Sequence, residues 1–418
     1  MLLLLTATAA TSQVVSNPQT GNDTDPTVTS VNGVMTVTNT QTNSGLIFAD
    51  APLDVVENDG LTQATASATG NSLQGGNINA DATVNSTQSN TGNITAQSRI
   101  NGTNTGDEDT SLGTPVYGTS QAIANYATGV TQGAHLTVDS RQQSTAAQVS
   151  ATTDVQAPNN AIYVSGEGDS TVEVNHTAYE VINGRLDSKS WQSSDSEAHA
   201  NTSATVHYSP SPNAYNAMAT NNSYAAYSDD RGSQEHDITQ TQSAITQARA
   251  EVYGGNVWNM QANASAAGND VNIQNAGGSM VVTNNQTQAG LVQSQAVVQA
   301  DQYGAVYATA SGIGNNMTAG NNDKYVRIDN NQLSSGGVDV VASFDGTTGW
   351  DGYVTADAVG NSALGYACSQ CQADMGVDNN QVNNSDVNAT ATAAIGKGRT
   401  IVSTARATGN TASYYVSN

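Results

Sequence analysis

Apolar and polar residues alternate one by one through much of the chain, as in Val281-Val-Thr-Asn284 and Thr404-Ala-Arg-Ala-Thr408. A period of two puts small apolar side chains on one face of an extended segment and polar ones on the other, so the pattern predicts strands. Long 3.6-residue stripes with helix caps are nearly absent, and the fold class expected is all-β.

The alternation carries a recurring phrase: aliphatic, Asn/Asp/Thr, any, any, Gln. It reads Val37 to Gln41, Val84 to Gln88, Val138 to Gln142, Val282 to Gln286, Ile328 to Gln332 and Val377 to Gln381, with degenerate copies at Leu186 to Ser190 and His236 to Gln240. From Gln41 to Gln381 the spacings are 47, 54, 48, 50, 46, 46 and 49 residues, a period of about 49, which signals a repeat array. A second landmark, Ala-x-Ala-x-Gly-Asn, occurs at Ala66–Asn71, Ala264–Asn269, Ala356–Asn361 and Ala405–Asn410, with looser copies at Ala217–Asn222 and Ala308–Gly312. It divides each unit into two half-units, and its Gly-Asn is expected to close a strand, because both residues tolerate positive φ.

Parallel stacking of such units would align Asn and Gln into amide ladders, which accounts for the preference for amides over large apolar residues. The architecture expected is an elongated β-solenoid of about sixteen coils in eight double-coil units, a rod roughly 75 Å long at the usual strand spacing. The alternative is a long antiparallel hairpin per unit in an extended sheet. By repeat texture the chain divides into 1–10, 11–158, 159–232 and 233–418, the third segment being the most degenerate. An insertion at Gly106–Pro115 reads as an acidic surface loop.

Composition narrows the function. Of 418 residues, 2 are Phe and 3 are Trp, so any core is thin and filled by small side chains. Low hydrophobicity and a net charge of −24 also suit a disordered chain, but charged residues are only 11% and the alternation is strict. With 11 Lys+Arg against 35 Asp+Glu, the counterion-release term of nucleic-acid binding is missing and an anionic membrane is disfavoured. No apolar run approaches the length of a membrane-spanning helix. Met1-Leu-Leu-Leu-Leu5 followed by Ala7-x-Ala9 reads as the remnant of a secretory signal within residues 1–10. Cys368 and Cys371 form one Cys-x-x-Cys, half of a zinc site without its second half, so a short-loop disulfide is the better reading.

Candidate chemistry is sparse. The motifs of nucleotide-binding loops, zinc proteases and serine hydrolases are missing. Asp107, Glu108, Asp109, Glu167, Asp169, Asp229 and Asp230 lack a calcium-loop spacing and read as solvated acidic loops. The enzyme alternative is a β-helical polysaccharide lyase or hydrolase using Glu173, Glu180, Asp187 and Glu197. Aromatic residues concentrate in the degenerate segment, which also holds Tyr163 and Tyr179, and Trp191, Tyr208, Tyr215, Tyr224 and Tyr227 are its candidate glycan contacts; the plainer alternative is that they pack a longer loop. Tyr414, Tyr415 and Val416 have the strand propensity and contact area to dock a partner strand, the alternative being a frayed tail.

The segments Gln41-Thr-Asn-Ser-Gly-Leu-Ile47 and Gln286-Thr-Gln-Ala-Gly-Leu-Val292 resemble the holdfast anchor proteins of the HfaD type. Leu73-Gln-Gly-Gly-Asn-Ile-Asn-Ala80 is more weakly similar to curlin repeats. The HfaD resemblance implies a non-catalytic protein without a cofactor, exported to the outer-membrane surface, where it tethers an adhesive exopolysaccharide. It further implies two partners, a curli-secretion-like outer-membrane lipoprotein and a small curlin-like anchor subunit. A fibre-type adhesin is the remaining non-enzymatic alternative.

Overall fold

The computed structural model describes residues 4–8, 13–20, 27–31, 33–58, 61–102, 104–105, 116–162, 165–229, 231–323, 325–368 and 372–416, with side chains from residue 33 onward except at 57–58, 104–105 and 159–161. One unit shows the plan. A ten-residue strand, Ser279–Gln288, turns at Ala289-Gly290 into a thirty-residue extended run, Val292–Asn321, which reverses direction near Gln302. A tight turn then leads to the next short strand, Tyr325–Ser334. In the earlier units the long run is divided, as in Ile94–Asn101 and Val116–Gln132.

Among the described residues, short strands form a nine-stranded sheet and long runs a fourteen-stranded one, and Glu57–Asn58 pairs with Asn104–Thr105 as a separate two-stranded sheet. Every ladder among these residues is parallel, and all but two join a residue to its counterpart one whole unit away: Gln142 pairs with Gln88 and Gln192, Gln240 with Gln192 and Gln286. The two exceptions lie at the N-terminal end, where Leu4 pairs with Thr27 and Gln13 with Met35. The chain is therefore the expected parallel β-solenoid and not a sheet of antiparallel hairpins. The coil count differs from expectation. One unit makes one coil, so Gln41 to Gln381 mark eight coils rather than sixteen, spanning about 34 Å at the usual strand spacing. The two half-units do not stack on each other along the axis; they face each other as two layers within one coil.

Packing between those layers explains the small-residue composition. On the second half of the long run, Ala68, Ala122, Val172, Ala219, Ala266, Gly312 and Ala358 form one inward column. Against it stand larger residues of the first half, among them Ile94, Val149, Val292 and Val338, all buried in the same cluster. A Cβ on Gly312 would lie 2.7 Å from Val340 Cγ2, which shows how little room the interlayer space leaves. Small-against-large columns fill a thin interior at native density, and a second cluster does the same between the short strands and the far end of the long run.

Two amide ladders cross the junction between these clusters. Each of Gln88, Gln142, Gln192, Gln240, Gln286, Gln332 and Gln381 donates its Nε2 to the Oε1 of the glutamine one coil before, at 2.7–2.9 Å. Opposite them, Asn71, Asn125, Asn175, Asn222, Asn269, Asn315 and Asn361 each donate to the asparagine one coil later, at 2.7–2.8 Å. The remaining amide hydrogens cross between layers to backbone carbonyls, as from Gln286 to Asn316 and from Asn269 to Thr287. A buried carboxamide has two donors and a carbonyl, and here both donors and the acceptor are engaged.

The second landmark has a different role from the one expected. Its Gly-Asn lies inside the long strand, not at a turn: Asn is the ladder residue, and glycine precedes it because a Cβ at Gly268 or Gly360 would approach the carbonyl oxygen of Gly314 or Gly409 to 2.6 or 2.5 Å. The positive-φ turn comes eight to nine residues later, at Asn79, Gly133, Asn183 and Gly278. Two degenerate copies also shift by two residues. Gln192, not Ser190, continues the glutamine ladder, and Gly314, not Gly312, is the landmark glycine of its coil. A slip of two preserves the inward and outward faces, so the alternation alone does not distinguish the frames.

The degenerate segment is part of the array, since Gly166–Ile182, Arg185–Ser194 and Glu197–Ser228 all lie in ladders with both neighbouring coils. The insertion 106–115, Tyr163, Asp230 and Cys371 lie outside the described residues, and of the signal remnant only Leu4–Thr8 is described, as backbone paired with Thr27–Val31. At the turn, Gly278→Val is expected to destabilise the fold by about 2 kcal/mol in a urea titration, because φ is +67° and a Cβ would meet the carbonyl of Gly232. Gly278→Asn should retain more of the stability, as Asn183 holds the same kind of turn; equal losses for both variants would assign the cost to the contact of any Cβ with the Gly232 carbonyl and not to φ.

Candidate functional site

The reversal in the middle of each long run builds a corner along one side of the solenoid. Its residues stack in register from coil to coil: Tyr208, Asn256, Gln302, Thr348 and Lys397 form one column, and Ser209, Val257, Tyr303 and Gly349 the next. The ladder skips the following position, where the strand changes direction, and that position holds Trp258, Gly304 and Trp350 in three successive coils. Because Gly304 has no side chain, the indoles of Trp258 and Trp350 meet across it, with ring centroids 5.3 Å apart and planes at 76°. A Cβ on Gly304 would lie 3.1 Å from Trp258 Cε3 and closer still to the Trp258 carbonyl.

These two indoles are 49% and 51% exposed. Two of the chain's 3 tryptophans thus stand together on the surface of a molecule otherwise poor in aromatics. Between them and Tyr208 runs a groove of about 500 Å³, whose polar lining includes Asn256, Gln302 and Thr348. Arg399 lies over Trp350 at 5.5 Å and is held by two bonds to Asp351, of 3.0 and 2.5 Å, which draw the Asp351 pKa below the usual carboxylate range. Aromatic surface continues on both flanks. Tyr307 and Tyr353 stack at 5.1 Å, and Tyr253 donates to Asp301 at 2.8 Å.

Of the aromatic residues chosen from sequence, only Tyr208 belongs to this corner. Trp191 and Tyr227 are exposed elsewhere, on a short strand and near the far end of a long run. Tyr215 and Tyr224 are 0% exposed and belong to the core, which corrects their reading as glycan contacts. Both count by twos from inward residues, Tyr215 from Ala217 and Tyr224 from Asn222, so their parity points them inside. Tyr224 donates to, or accepts from, buried His236 Nδ1 at 2.8 Å, and His236 Nε2 bonds Gln234 at 2.8 Å. The signal for Trp258 and Trp350 was their glycine-rich setting, Gly254-Gly255 and Gly349, one double interval apart.

The carboxylates of the enzyme alternative do not converge. Glu173 and Glu180 lie on a long run, Asp187 on a short strand and Glu197 at the start of the next coil's run. Glu173 contacts His176 at 3.2 Å, Asp187 is paired with Arg185 and His135, and Glu197 with His199. Among the described residues no cluster of His, Cys, Asp and Glu suited to a metal ion is found. Cys368 is buried and disulfide-bonded. Tyr414 is partly buried against the core, while Tyr415 stacks on Tyr366 at 5.8 Å and, like Val416, is exposed.

The family model of holdfast attachment protein D matches residues 56–337, well over half of the 418-residue chain. The chain belongs to the HfaD family. No curated protein and no solved structure matches it. The span shared with HfaD contains Tyr208, Trp258 and Gly304, whereas Trp350 and Lys397 lie beyond it. Membership of HfaD implies a role in holdfast attachment at the cell surface.

Proposed function

We propose that this HfaD-family chain is a non-catalytic anchor that holds an adhesive holdfast polysaccharide at the outer membrane. The observation that carries the reading is the family match over an array braced along its length by two continuous amide ladders. A ladder that spans every coil distributes load, because neighbouring units are joined by side-chain bonds as well as by backbone pairing. The partners that fit are a curli-secretion-like outer-membrane lipoprotein and a small curlin-like subunit. Their docking surface is the strand Thr400–Val416, on which Tyr415 and Val416 present apolar area. In this reading Cys368 and Cys371 close one short disulfide and bind no zinc.

Deletion of the gene tests the anchor: cells are expected to make adhesive material and shed it into the medium. Adhesive that stays on the deleted cells would refute the reading. Removal of residues 411–418 is expected to abolish co-purification with the lipoprotein while the β-rich circular dichroism is kept. Unchanged co-purification would place that contact elsewhere.

A further inference from the structure

The geometry points to the corner formed by Tyr208, Trp258 and Trp350 as a binding groove for an uncharged pyranose polysaccharide. The inference deepens the anchor reading and rests on it for its biological sense, but its physical basis is local. Half-exposed indoles leave apolar area in water, and large side chains that could be buried usually are. Here Gly304 leaves room for two of them to meet at the surface, since a Cβ at that position would collide with the Trp258 ring and carbonyl.

A pyranose ring has an apolar face of C–H groups and a rim of hydroxyls. The indole planes suit the face. The side chains of Asn256 and Gln302, each offering donors and an acceptor, suit the rim. Asn256, Gln302 and Thr348 follow one another at the coil spacing, close to the length of one sugar unit, so a chain laid along the solenoid axis meets a polar side chain at each of these three steps. The lining contains no carboxylate, and its one charged side chain is Lys397. The guanidinium of Arg399 is already committed to Asp351. With a net charge of −24 on the chain, a polyanion is repelled at long range, so the uncharged class fits best.

Isothermal titration of the whole protein with cello-, chito- and oligogalacturonate oligosaccharides tests the groove. Binding of an uncharged oligosaccharide is expected, weakened at least about tenfold by Trp258→Ala or by Trp350→Ala, as for aromatic residues at the centre of a contact. Trp258→Phe, which keeps a ring, should recover part of the loss. Both tryptophans are exposed, so circular dichroism and urea midpoints should be near those of the parent protein. Unchanged affinity in the double alanine variant, or binding of oligogalacturonate alone, would overturn the proposal. So would absence of binding to every uncharged oligosaccharide, and in that case the anchor reading is judged separately by whether deleted cells shed their adhesive.

Discussion

Gln240→Leu is expected to destabilise the protein by about 3–9 kcal/mol. Gln240 donates to Gln192 at 2.8 Å and to the Asp270 carbonyl at 3.0 Å, and it accepts from Gln286 at 2.8 Å. Leucine removes all three bonds and leaves a buried acceptor on Gln192, the Asp270 carbonyl and one hydrogen of Gln286 without partners. Each orphaned group costs roughly 1–3 kcal/mol. Because units in such an array are held by their neighbours, the loss should fall between the coils of Gln192 and Gln286 and separate unfolding into two phases. Urea titration followed by circular dichroism measures both. The exposed Gln63, bonded only to Thr65, supplies the control: Gln63→Leu should change stability by no more than about 0.5 kcal/mol. A loss below about 1 kcal/mol for Gln240→Leu would mean that the ladders contribute little beyond filling space.

Acidification should destabilise the protein through His236. Burial lowers its pKa from 6.5 to about 3, opposed only by the more distant Asp187, and its neutral ring is held between Tyr224 and Gln234. In the unfolded chain the imidazole binds a proton below pH 6.5, whereas in the folded chain it stays neutral until about pH 3. Its contribution is therefore complete above pH 6.5 and falls progressively as the pH drops toward 3. At about 1.4 kcal/mol per unit, roughly 2 kcal/mol is lost by pH 5 and roughly 4–5 kcal/mol over the whole window. The window from pH 6.5 to 5 is the informative one, since carboxylates titrate mainly below it. In the next coil the same position is Val282, so His236→Val combined with Tyr224→Phe keeps the shape without a buried titrating group. The double variant should lose most of the slope in that window, and an unchanged slope would assign it to other groups.

The degenerate part of the chain shows where legibility ended. Trp191 follows the outward phase beside Gln192, and Tyr227 the outward phase of a strand whose Tyr224 and Ser228 point in; a correct assignment of faces separates both from Tyr215 and Tyr224. That assignment needed the ladder frame, and the frame was ambiguous by two residues in the very coil where the phrase had eroded to Ser190. Conversely, the phrase ending in glutamine was readable across most of the chain because stacking imposes one side chain at one depth in every coil. A ladder amide replaced by another residue orphans the amides above and below it, so the register is visible as sequence identity.

The sequence by itself determined the all-β class, the repeat, its period and the amides that would stack, because these follow from alternation and from a constraint repeated in every unit. Only the tertiary structure decided that one unit makes one coil, since the same alternation serves half-units that stack and half-units that face each other. It also decided that Gly-Asn lies within a strand, where glycine admits a neighbouring carbonyl instead of a positive φ. The tryptophan corner is of the same kind: Trp258 and Trp350 come from coils separated by a third, and they meet where the strand reverses and period-two parity no longer says which side faces water.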